Sequence, residues 1–256
     1  MPAFYAHRLG AAEVGAPSNC LAGFEGFLEL REGMPEKKIE GIETDCSITA
    51  DGDLALIHWA LLELETDQHG WIHEQPTAVA RRARLKGQDH ELTDEPIMFA
   101  EELFDMLVSD ERAKDLRVLF EIKSYDNSEV ARETAERACD MIIEYGLEDR
   151  VDILSYWFEA VQAAAAAGVR GRFTTHGNPD PETLIRELSA IGVKAIDYEQ
   201  FMIVESRLRQ FQAAGLDVTT FLPEPPQALI EHHLRLGLNG ITVEKPVSLR
   251  QRISTF

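Results

Sequence analysis

Short apolar runs alternate with amphipathic, helix-like stretches along most of the chain, and the alternation is most regular in the second half. Five glycines there are separated by 22 to 24 residues, and each stands between a helix-like stretch and a strand-like run: Gly146, Gly168, Gly192, Gly215 and Gly237. Because glycine readily adopts the left-handed conformation that ends helices, we interpret these positions as helix C-terminal caps. Strands that alternate with helices in this way are expected to pair in parallel, with right-handed crossovers.

The first half of the chain continues the pattern, with helices expected to begin near Ser18 and near Ser128. Eight strands are predicted in all, at residues 4–7, 42–46, 118–122, 151–155, 172–175, 193–197, 217–221 and 240–244. Eight parallel strands with intervening helices are what a (β/α)8 barrel requires, and 256 residues is a typical length for that fold. The sequence therefore predicts the α/β class and a TIM barrel that forms a single domain over residues 1–256.

Residues 59–96 do not follow the alternation. The segment contains TDQHGWIHEQP and a basic stretch, RRARLKGQDH, with neither a helical nor a strand-like period. We interpret it as a small insertion that follows the hairpin of the second strand and covers one end of the barrel. Because its polar residues are scattered, we expect the insertion to have little hydrophobic core of its own.

The composition narrows the range of partners and compartments. Against 25 Lys and Arg the chain has 45 Asp and Glu, a formal charge of −20 that disfavours nucleic acid as a partner. No apolar run approaches the ~20 residues that stable membrane insertion needs, and the start, MPAFYAHRLG, lacks a basic-then-apolar leader. The three cysteines have neither CxxC spacing nor an even count, which favours reduced thiols and a cytoplasmic location: Cys20, Cys46 and Cys139. The oligomeric state stays open.

The segment GIETDCSITADGDLALIHW contains the strongest candidate chemistry. Its Asp51-Gly52 pair is typical of a two-residue hairpin turn, and pairing about that turn would place Asp45 directly opposite His58. Glu43 shares a strand face with Asp45 because side chains alternate along a strand. Two carboxylates on one face suit a hard cation such as Mg2+ or Ca2+. A solvated hairpin with exposed acids is the alternative interpretation.

Two other predicted strands end in polar residues. His7-Arg8 lies at the carboxyl end of the first strand, and Glu121-Ile122-Lys123 lies at the end of the third. Each group alone is as readily explained by packing or solvation, and we interpret His176 and Asp197, at later strand ends, in that way. Barrel active sites are built where the strands end, so the full set predicts an active site with carboxylates, imidazoles and cations at one barrel face.

In order and spacing, these residues resemble the motifs of the glycerophosphodiester phosphodiesterase family. The matching segments are His7-Arg8 for HR(G), Glu43-x-Asp45 for E-x-D, Thr49-x-Asp51-Gly52 with His58 for T-x-D-G…H, and Glu121-Ile122-Lys123 for E-I-K. Later segments are similar too: Ser155-Tyr156 for Ser-Phe, Phe221 where the family usually has Trp, and GLNGITVEKP for the closing G-V-D-G-I-x-T-D-x-P. The resemblance covers nearly the whole chain.

The resemblance implies a (β/α)8 barrel that uses one divalent cation, Mg2+ or Ca2+, to hydrolyse glycerophosphodiesters to glycerol 3-phosphate and an alcohol. The resemblance implies that the metal ligands are Glu43, Asp45 and Glu121. It implies that the catalytic pair is His7 and His58, and that the substrate-binding residues are Arg8, Lys123 and Phe221. One histidine would act as the general base and the other as the general acid. The implied partner is a small-molecule phosphodiester.

Several positions depart from the family pattern. Leu9 replaces the Gly after His-Arg, Ser18 stands where the family has Glu, Trp59 replaces the Asp that usually follows the second histidine, and Glu244-Lys245 replaces Thr-Asp. These changes alter the walls of the expected pocket, so the alcohol of the substrate stays open. A lysophospholipase D or sphingomyelinase D-like phosphodiesterase and a non-catalytic barrel that binds a metal or a phosphodiester are the alternative functions.

Overall fold

Eight parallel strands form a closed ring in the computed structural model, which describes residues 2–34, 39–125, 127–199 and 203–253. The described residues contain eleven strands, of which eight form the ring. In chain order they are β1 Ala3–Ala6, β2 Gly41–Ile48, β3 Leu54–Ala55, β4 Arg84–Lys86, β5 Leu92–Pro96, β6 Arg117–Ile122, β7 Val151–Ser155, β8 Arg170–His176, β9 Ala195–Glu199, β10 Asp217–Phe221 and β11 Gly240–Val243. The ring runs β1-β2-β6-β7-β8-β9-β10-β11, and it closes because β11 also pairs with β1. The predicted TIM barrel is confirmed.

Helices surround the ring and connect its strands. They are α1 Ala11–Val14, α2 Leu21–Glu32, α3 Thr77–Ala80, α4 Ala100–Ser109, α5 Ser128–Glu144, α6 Phe158–Ala167, α7 Pro181–Ala190, α8 Glu205–Ala213, α9 Gln227–Leu236 and α10 Pro246–Ile253. The five glycines predicted as caps follow the ends of α5 to α9 with φ between 65° and 81°, which confirms that interpretation. Among the described residues, none of the helices combines the length and the apolar character needed to cross a membrane.

Side-chain alternation along the strands separates the core from the interior of the barrel. On β2, Ile42 and Cys46 belong to the main hydrophobic core between the ring and the helices. The alternate residues Glu43 and Asp45 are therefore left on the inner face of the ring. Glu121 follows the same rule on β6, and the parallel register places it beside Asp45. The three carboxylates thus meet because of strand alternation and register.

The hairpin after β2 differs from the predicted one by a single residue. Ser47 lies opposite Ala55, so the turn contains three residues, 50–52, rather than two. Its glycine has φ of 90°, which is typical of a three-residue hairpin turn that ends in a left-handed residue. The predicted pairing of Asp45 opposite His58 is therefore wrong, because β3 ends at Ala55 and His58 lies in the loop that follows.

The insertion has a small core, contrary to the expectation from sequence. Residues 59–96 contain two short 3-10 turns, α3 and the β4–β5 hairpin. Their side chains Leu62, Ile72 and Leu85 pack into a second cluster, separate from the main core, together with the flanking residues Ile57 and Phe99. The prediction failed because these residues are spread along an irregular backbone, where no helical or strand period reveals that they share an interior.

A buried ion network occupies the other end of the barrel, where β8 begins. The guanidinium of Arg172, which is only 2% exposed, donates to Asp152 Oδ2 at 2.7 Å and to Asp217 Oδ1 at 2.8 Å. Burial on its own raises the pKa of Asp217, but the charge of Arg172 outweighs it and holds that pKa below its usual value. The half-buried Arg170 pairs with the same two carboxylates, at 2.7 Å from Asp217 Oδ2 and 3.7 Å from Asp152 Oδ2. The two guanidinium groups together offset two carboxylates that would otherwise repel each other.

Replacing the buried arginine is expected to destabilise the protein strongly. Arg172→Leu removes the buried cation that Asp152 and Asp217 share and leaves them only the half-buried Arg170. Breaking a buried ion pair costs about 3–5 kcal/mol of unfolding free energy. Urea unfolding at neutral pH measures the loss. Arg132→Leu, which removes an exposed arginine paired with Glu129 on the surface of α5, is the control and should change stability little. A loss no larger than that of the control would contradict a stabilising role of the network.

Candidate active site

The chain leaves β1 through a tight turn that carries the first predicted catalytic residue. The strand ends at Ala6, one residue earlier than predicted, and His7–Gly10 form the turn. Arg8 and Leu9 have φ of 49° and 62°, a left-handed conformation that is strained for residues other than glycine. The backbone N–H of Arg8 donates to Glu43 Oε2 at 2.9 Å. The acidic cluster thus helps to hold the turn that positions His7.

Three buried carboxylates face one another at the end of the barrel where the strands finish. Oxygens of Glu43, Asp45 and Glu121 lie within 4.8 Å of one another, and the three residues are at most 7% exposed. Glu43 Oε1 and Asp45 Oδ1 are buried without a hydrogen-bond partner. Burial, and then the charges of Asp45 and Glu121, raise the pKa of Glu43 well above its usual value. Unsatisfied carboxylate oxygens in this arrangement fit a divalent metal site.

Two cations partly offset the charge of this cluster. Lys123 Nζ lies 2.7 Å from Glu121 Oε1 and 3.4 Å from Asp45 Oδ1. Arg8 Nε lies 3.4 Å from Asp45 Oδ2. Burial alone would raise the pKa of Asp45, but Lys123, followed by His58 and Arg8, outweighs it and lowers that pKa. The site therefore presents both signs of charge, as a pocket for a metal ion and a phosphate must.

His7 is held between the acidic cluster and a fourth carboxylate. Its Nδ1 lies 2.9 Å from Glu244 Oε1, just beyond β11, and its Nε2 lies 3.7 Å from Glu43 Oε2. Its ring contacts that of Phe221 with centroids 4.4 Å apart. Sequence reasoning treated Glu244 only as a departure from the family pattern. Its place at the end of the last barrel strand was the signal that could have identified it.

His58 is anchored by the insertion. Its backbone N–H and that of Trp59 both donate to Glu65 Oε2, at 3.0 and 3.1 Å, and the hydroxyl of Tyr125 donates to its carbonyl at 3.1 Å. Burial lowers the pKa of His58 to about 3; the charge of Asp45 opposes this shift, and the charges of Arg8 and Lys123 add to it. The ring is therefore neutral at pH 7. Sequence reasoning missed Glu65, because its contact depends on how the insertion folds.

Asn19 is a further polar residue that sequence reasoning did not identify as functional. It is 1% exposed, and its Nδ2 donates to Asp45 Oδ2 at 2.9 Å while its Oδ1 accepts from the hydroxyl of Thr44 at 3.0 Å. Its φ of 56° is a left-handed conformation, which Asn adopts more readily than most other residues. The segment Pro17-Ser18-Asn19-Cys20 resembles the Pro-Glu-Asn-Thr of the family motif, in which Ser18 stands for the Glu and the Asn is kept, and this match was the available signal. Asn19 fixes the orientation of the Asp45 carboxylate.

These side chains surround one cavity of about 490 Å³. Of the eight residues predicted for the site, seven line it, and the fully buried Asp45 does not. Asp197 also lines the cavity, and the expectation that it is solvated is wrong, since it is 2% exposed and accepts a hydrogen bond from the hydroxyl of Thr219. His176 lines the cavity from an exposed position. The volume suits a small-molecule ligand.

Comparisons with known proteins agree with this arrangement. The model of the glycerophosphoryl diester phosphodiesterase family matches residues 31–248. None of the curated proteins matches the chain.

Solved structures share the fold over nearly the whole chain. A phosphodiesterase from Oleispira antarctica, solved with the product sn-glycerol-3-phosphate, is 19% identical with a TM-score of 0.78, and the match covers 99% of this chain and 97% of that one. A glycerophosphodiester phosphodiesterase from Parabacteroides distasonis is 21% identical with a TM-score of 0.75, and the match covers 98% of this chain and 96% of that one. One from Agrobacterium tumefaciens is 16% identical with a TM-score of 0.76, and the match covers 98% of this chain and 100% of that one. With a family model that spans most of its length and a barrel like those of these enzymes, the chain belongs to the glycerophosphoryl diester phosphodiesterase family, a family of phosphoric diester hydrolases.

Proposed function

We propose that this protein hydrolyses glycerophosphodiesters to glycerol 3-phosphate and an alcohol with one divalent cation, Mg2+ or Ca2+, and that residues 1–256 act as a single catalytic domain. The observation that carries the proposal is the juxtaposition, around one small cavity, of the buried carboxylate cluster, two imidazoles and two cationic side chains. The relative from Oleispira antarctica binds sn-glycerol-3-phosphate, the product proposed here. The three cysteines are free and buried, which supports a cytoplasmic location.

Glu43, Asp45 and Glu121 would hold the cation, since their oxygens converge and two of these oxygens, Glu43 Oε1 and Asp45 Oδ1, are buried without a hydrogen-bond partner. A bound divalent cation supplies Lewis-acid polarisation of a phosphoryl oxygen and offsets the charge that develops there. Arg8 and Lys123 border the same cavity and would bind the remaining phosphate oxygens. The phosphate would thus be bound where the positive groups of the site converge.

His7 and His58 would transfer protons. One imidazole would take a proton from the attacking hydroxyl, which is either water or the 2-hydroxyl of the glycerol, and the other would give a proton to the departing alcohol oxygen. The contact between His7 Nδ1 and Glu244 leaves Nε2 on the side of the acidic cluster, within 3.7 Å of Glu43. Both rings line the cavity, so a diester bound there would lie between them.

The proposal is tested by incubating the protein with a panel of glycerophosphodiesters, with and without Mg2+ or Ca2+, and following products by phosphorus NMR. We expect glycerol 3-phosphate and the free alcohol to appear only with a cation. Hydrolysis of lysophospholipids in place of glycerophosphodiesters would favour the lysophospholipase D alternative. The absence of turnover with every diester would leave a binding barrel and overturn the proposal.

Removing the anchor of His58 is expected to slow catalysis. Glu65→Ala deprives the backbone N–H groups of His58 and Trp59 of their shared acceptor, so the imidazole should lose its fixed position and kcat should fall about tenfold. Glu65→Gln keeps an acceptor oxygen and should retain most of the activity. Steady-state kinetics at saturating cation measure both variants. Equal activity of the alanine variant and the unaltered protein would show that the anchor does not matter.

A further inference from the structure

Aromatic side chains form one side of the active-site cavity. Four of its lining residues are Trp59, Tyr125, Tyr156 and Phe221. Trp59 is 40% exposed and Tyr125 is 36% exposed, and their rings stack with centroids 5.2 Å apart and an angle of 21° between the planes. Neither residue belongs to a hydrophobic core cluster of the described residues. Two large rings that stay exposed at a cavity are typical of a surface that binds a ligand.

This aromatic pair adjoins the proposed chemistry on two sides. Trp59 directly follows His58, and the two rings meet edge to face with centroids 4.6 Å apart. Tyr125 lies two residues after Lys123, and its hydroxyl donates to the carbonyl of His58. A phosphate bound near Lys123 and His58 would therefore direct one of its two ester groups onto the aromatic pair. In the family motif the position of Trp59 is usually Asp, so the pair distinguishes this chain from the general pattern.

The electrostatics of the cavity favour a cationic group at this surface. Its two strong cations, Arg8 and Lys123, are already paired with carboxylates of the cluster. Glu244 and Asp197 add negative charge to the lining, and the chain has a net charge of −20. A quaternary ammonium group cannot donate hydrogen bonds, so its recognition depends on π faces and a negative surrounding potential, and this cavity offers both.

We propose, on the basis of the proposed function, that Trp59 and Tyr125 bind the alcohol group of the substrate and select diesters of a quaternary ammonium alcohol. The positive charge of that alcohol lies against the exposed aromatic rings, while the phosphate lies against Arg8 and Lys123. The diester is then a zwitterion overall, which a strongly acidic protein repels less than an anionic diester.

A charge-free isostere provides the sharpest test. The probes are sn-glycero-3-phosphocholine and its 3,3-dimethylbutyl analogue, in which a carbon atom replaces the ammonium nitrogen and the shape is retained. Because an aromatic face attracts a cation but gains nothing comparable from a neutral group, we expect kcat/KM to be about tenfold higher for the choline diester. An isostere that is hydrolysed equally well or better would overturn the proposal, since the surface would then be merely apolar.

Variants of Trp59 test whether its ring causes the preference for the choline diester. Trp59→Leu should lower kcat/KM for the choline diester about tenfold and change that for the isostere little, whereas Trp59→Phe should keep most of the preference. Tyr145→Leu, which removes a tyrosine just after α5 at the opposite end of the barrel, is the control. An equal loss with both probes in Trp59→Leu would mean that the ring acts through packing against His58, which would overturn the assignment. If that variant does not fold, the comparison of the two probes on the unaltered protein decides alone.

Failure of the proposed function has a different signature. If neither probe is hydrolysed, the hydrolase proposal fails, and the aromatic surface is then tested by calorimetric titration of the unaltered protein with the same two probes. Tighter binding of the choline diester than of its isostere would support the surface. Equal binding, or binding of neither, would overturn it.

Discussion

Removing divalent cations with a chelator is expected to abolish hydrolysis of glycerophosphodiesters, and adding Mg2+ or Ca2+ is expected to restore it. The reason lies in Glu43 and Asp45, each of which has a buried oxygen without a hydrogen-bond partner that a divalent cation would satisfy. A metal ion contributes several kcal/mol of transition-state stabilisation, so the loss of rate should reach at least about a thousandfold. Turnover of glycerophosphocholine, measured before chelation, after it and after each cation is added back, checks this expectation.

Glu121→Gln tests the proposed role of Glu121 as a metal ligand separately from any effect on the stability of the fold. The amide oxygen can still accept a hydrogen bond from Lys123, which lies 2.7 Å from the carboxylate, but it binds a hard cation less strongly than a carboxylate does. Calorimetric titration should therefore show weaker cation binding by a protein whose thermal unfolding is little changed. Glu129→Gln, on the exposed surface of α5, is the matched control. Full activity after chelation, or unchanged cation binding by Glu121→Gln, would contradict the metal site.

The barrel could be predicted because its signals are local. Each cap glycine, such as Gly168 or Gly237, ends a helix through a backbone conformation that neighbouring residues do not have to supply. Strand alternation likewise identified Glu43 and Asp45 as neighbours on one face, and this local rule holds in the structure. The fold class and the acidic cluster could therefore be predicted from short segments of sequence, each considered separately.

The register of the hairpin could not be predicted in the same way. An Asp-Gly pair fits a two-residue turn and also the end of a three-residue turn, and Thr49 decides between them. Its backbone N–H donates to the carbonyl of Asp53, and its hydroxyl accepts from the N–H of the same residue. These bonds close the longer turn. His58 reaches the site through the loop that Glu65 anchors, rather than by pairing opposite Asp45.

The sequence also did not reveal two residues that meet the proposed catalytic histidines only through the tertiary structure. Glu244 contacts His7 from 237 positions away, and closure of the barrel between β11 and β1 brings them together. Glu65 contacts His58 from only seven positions away, yet it depends on an irregular insertion without a period. In both cases a carboxylate that looks like an ordinary surface acid becomes a partner of a proposed catalytic histidine only once the tertiary structure forms: Glu244 contacts the imidazole of His7, and Glu65 accepts from the backbone N–H of His58.

Replacing either proposed catalytic histidine by alanine is expected to lower kcat by 10²- to 10⁴-fold, roughly the contribution of a positioned general acid or base. Cation affinity should change little, because the imidazoles of His7 and His58 are not part of the carboxylate cluster. Steady-state kinetics with saturating substrate and saturating Mg2+ or Ca2+ measure the change in kcat, and calorimetry measures the cation affinity. His69→Ala, which removes an exposed histidine of the insertion, is the control and should leave both quantities unchanged.

The double variant shows whether the two imidazoles act in one event. If His7 and His58 transfer protons in the same transition state, removing one already disables the concerted transfer, so the second removal should add far less than its single effect. Losses that multiply would instead indicate two separate steps, each with its own proton transfer. A His58→Ala protein with nearly normal turnover would exclude this residue from proton transfer. His7, held by its contact with Glu244, would then be the remaining imidazole of the pair proposed here for acid–base chemistry.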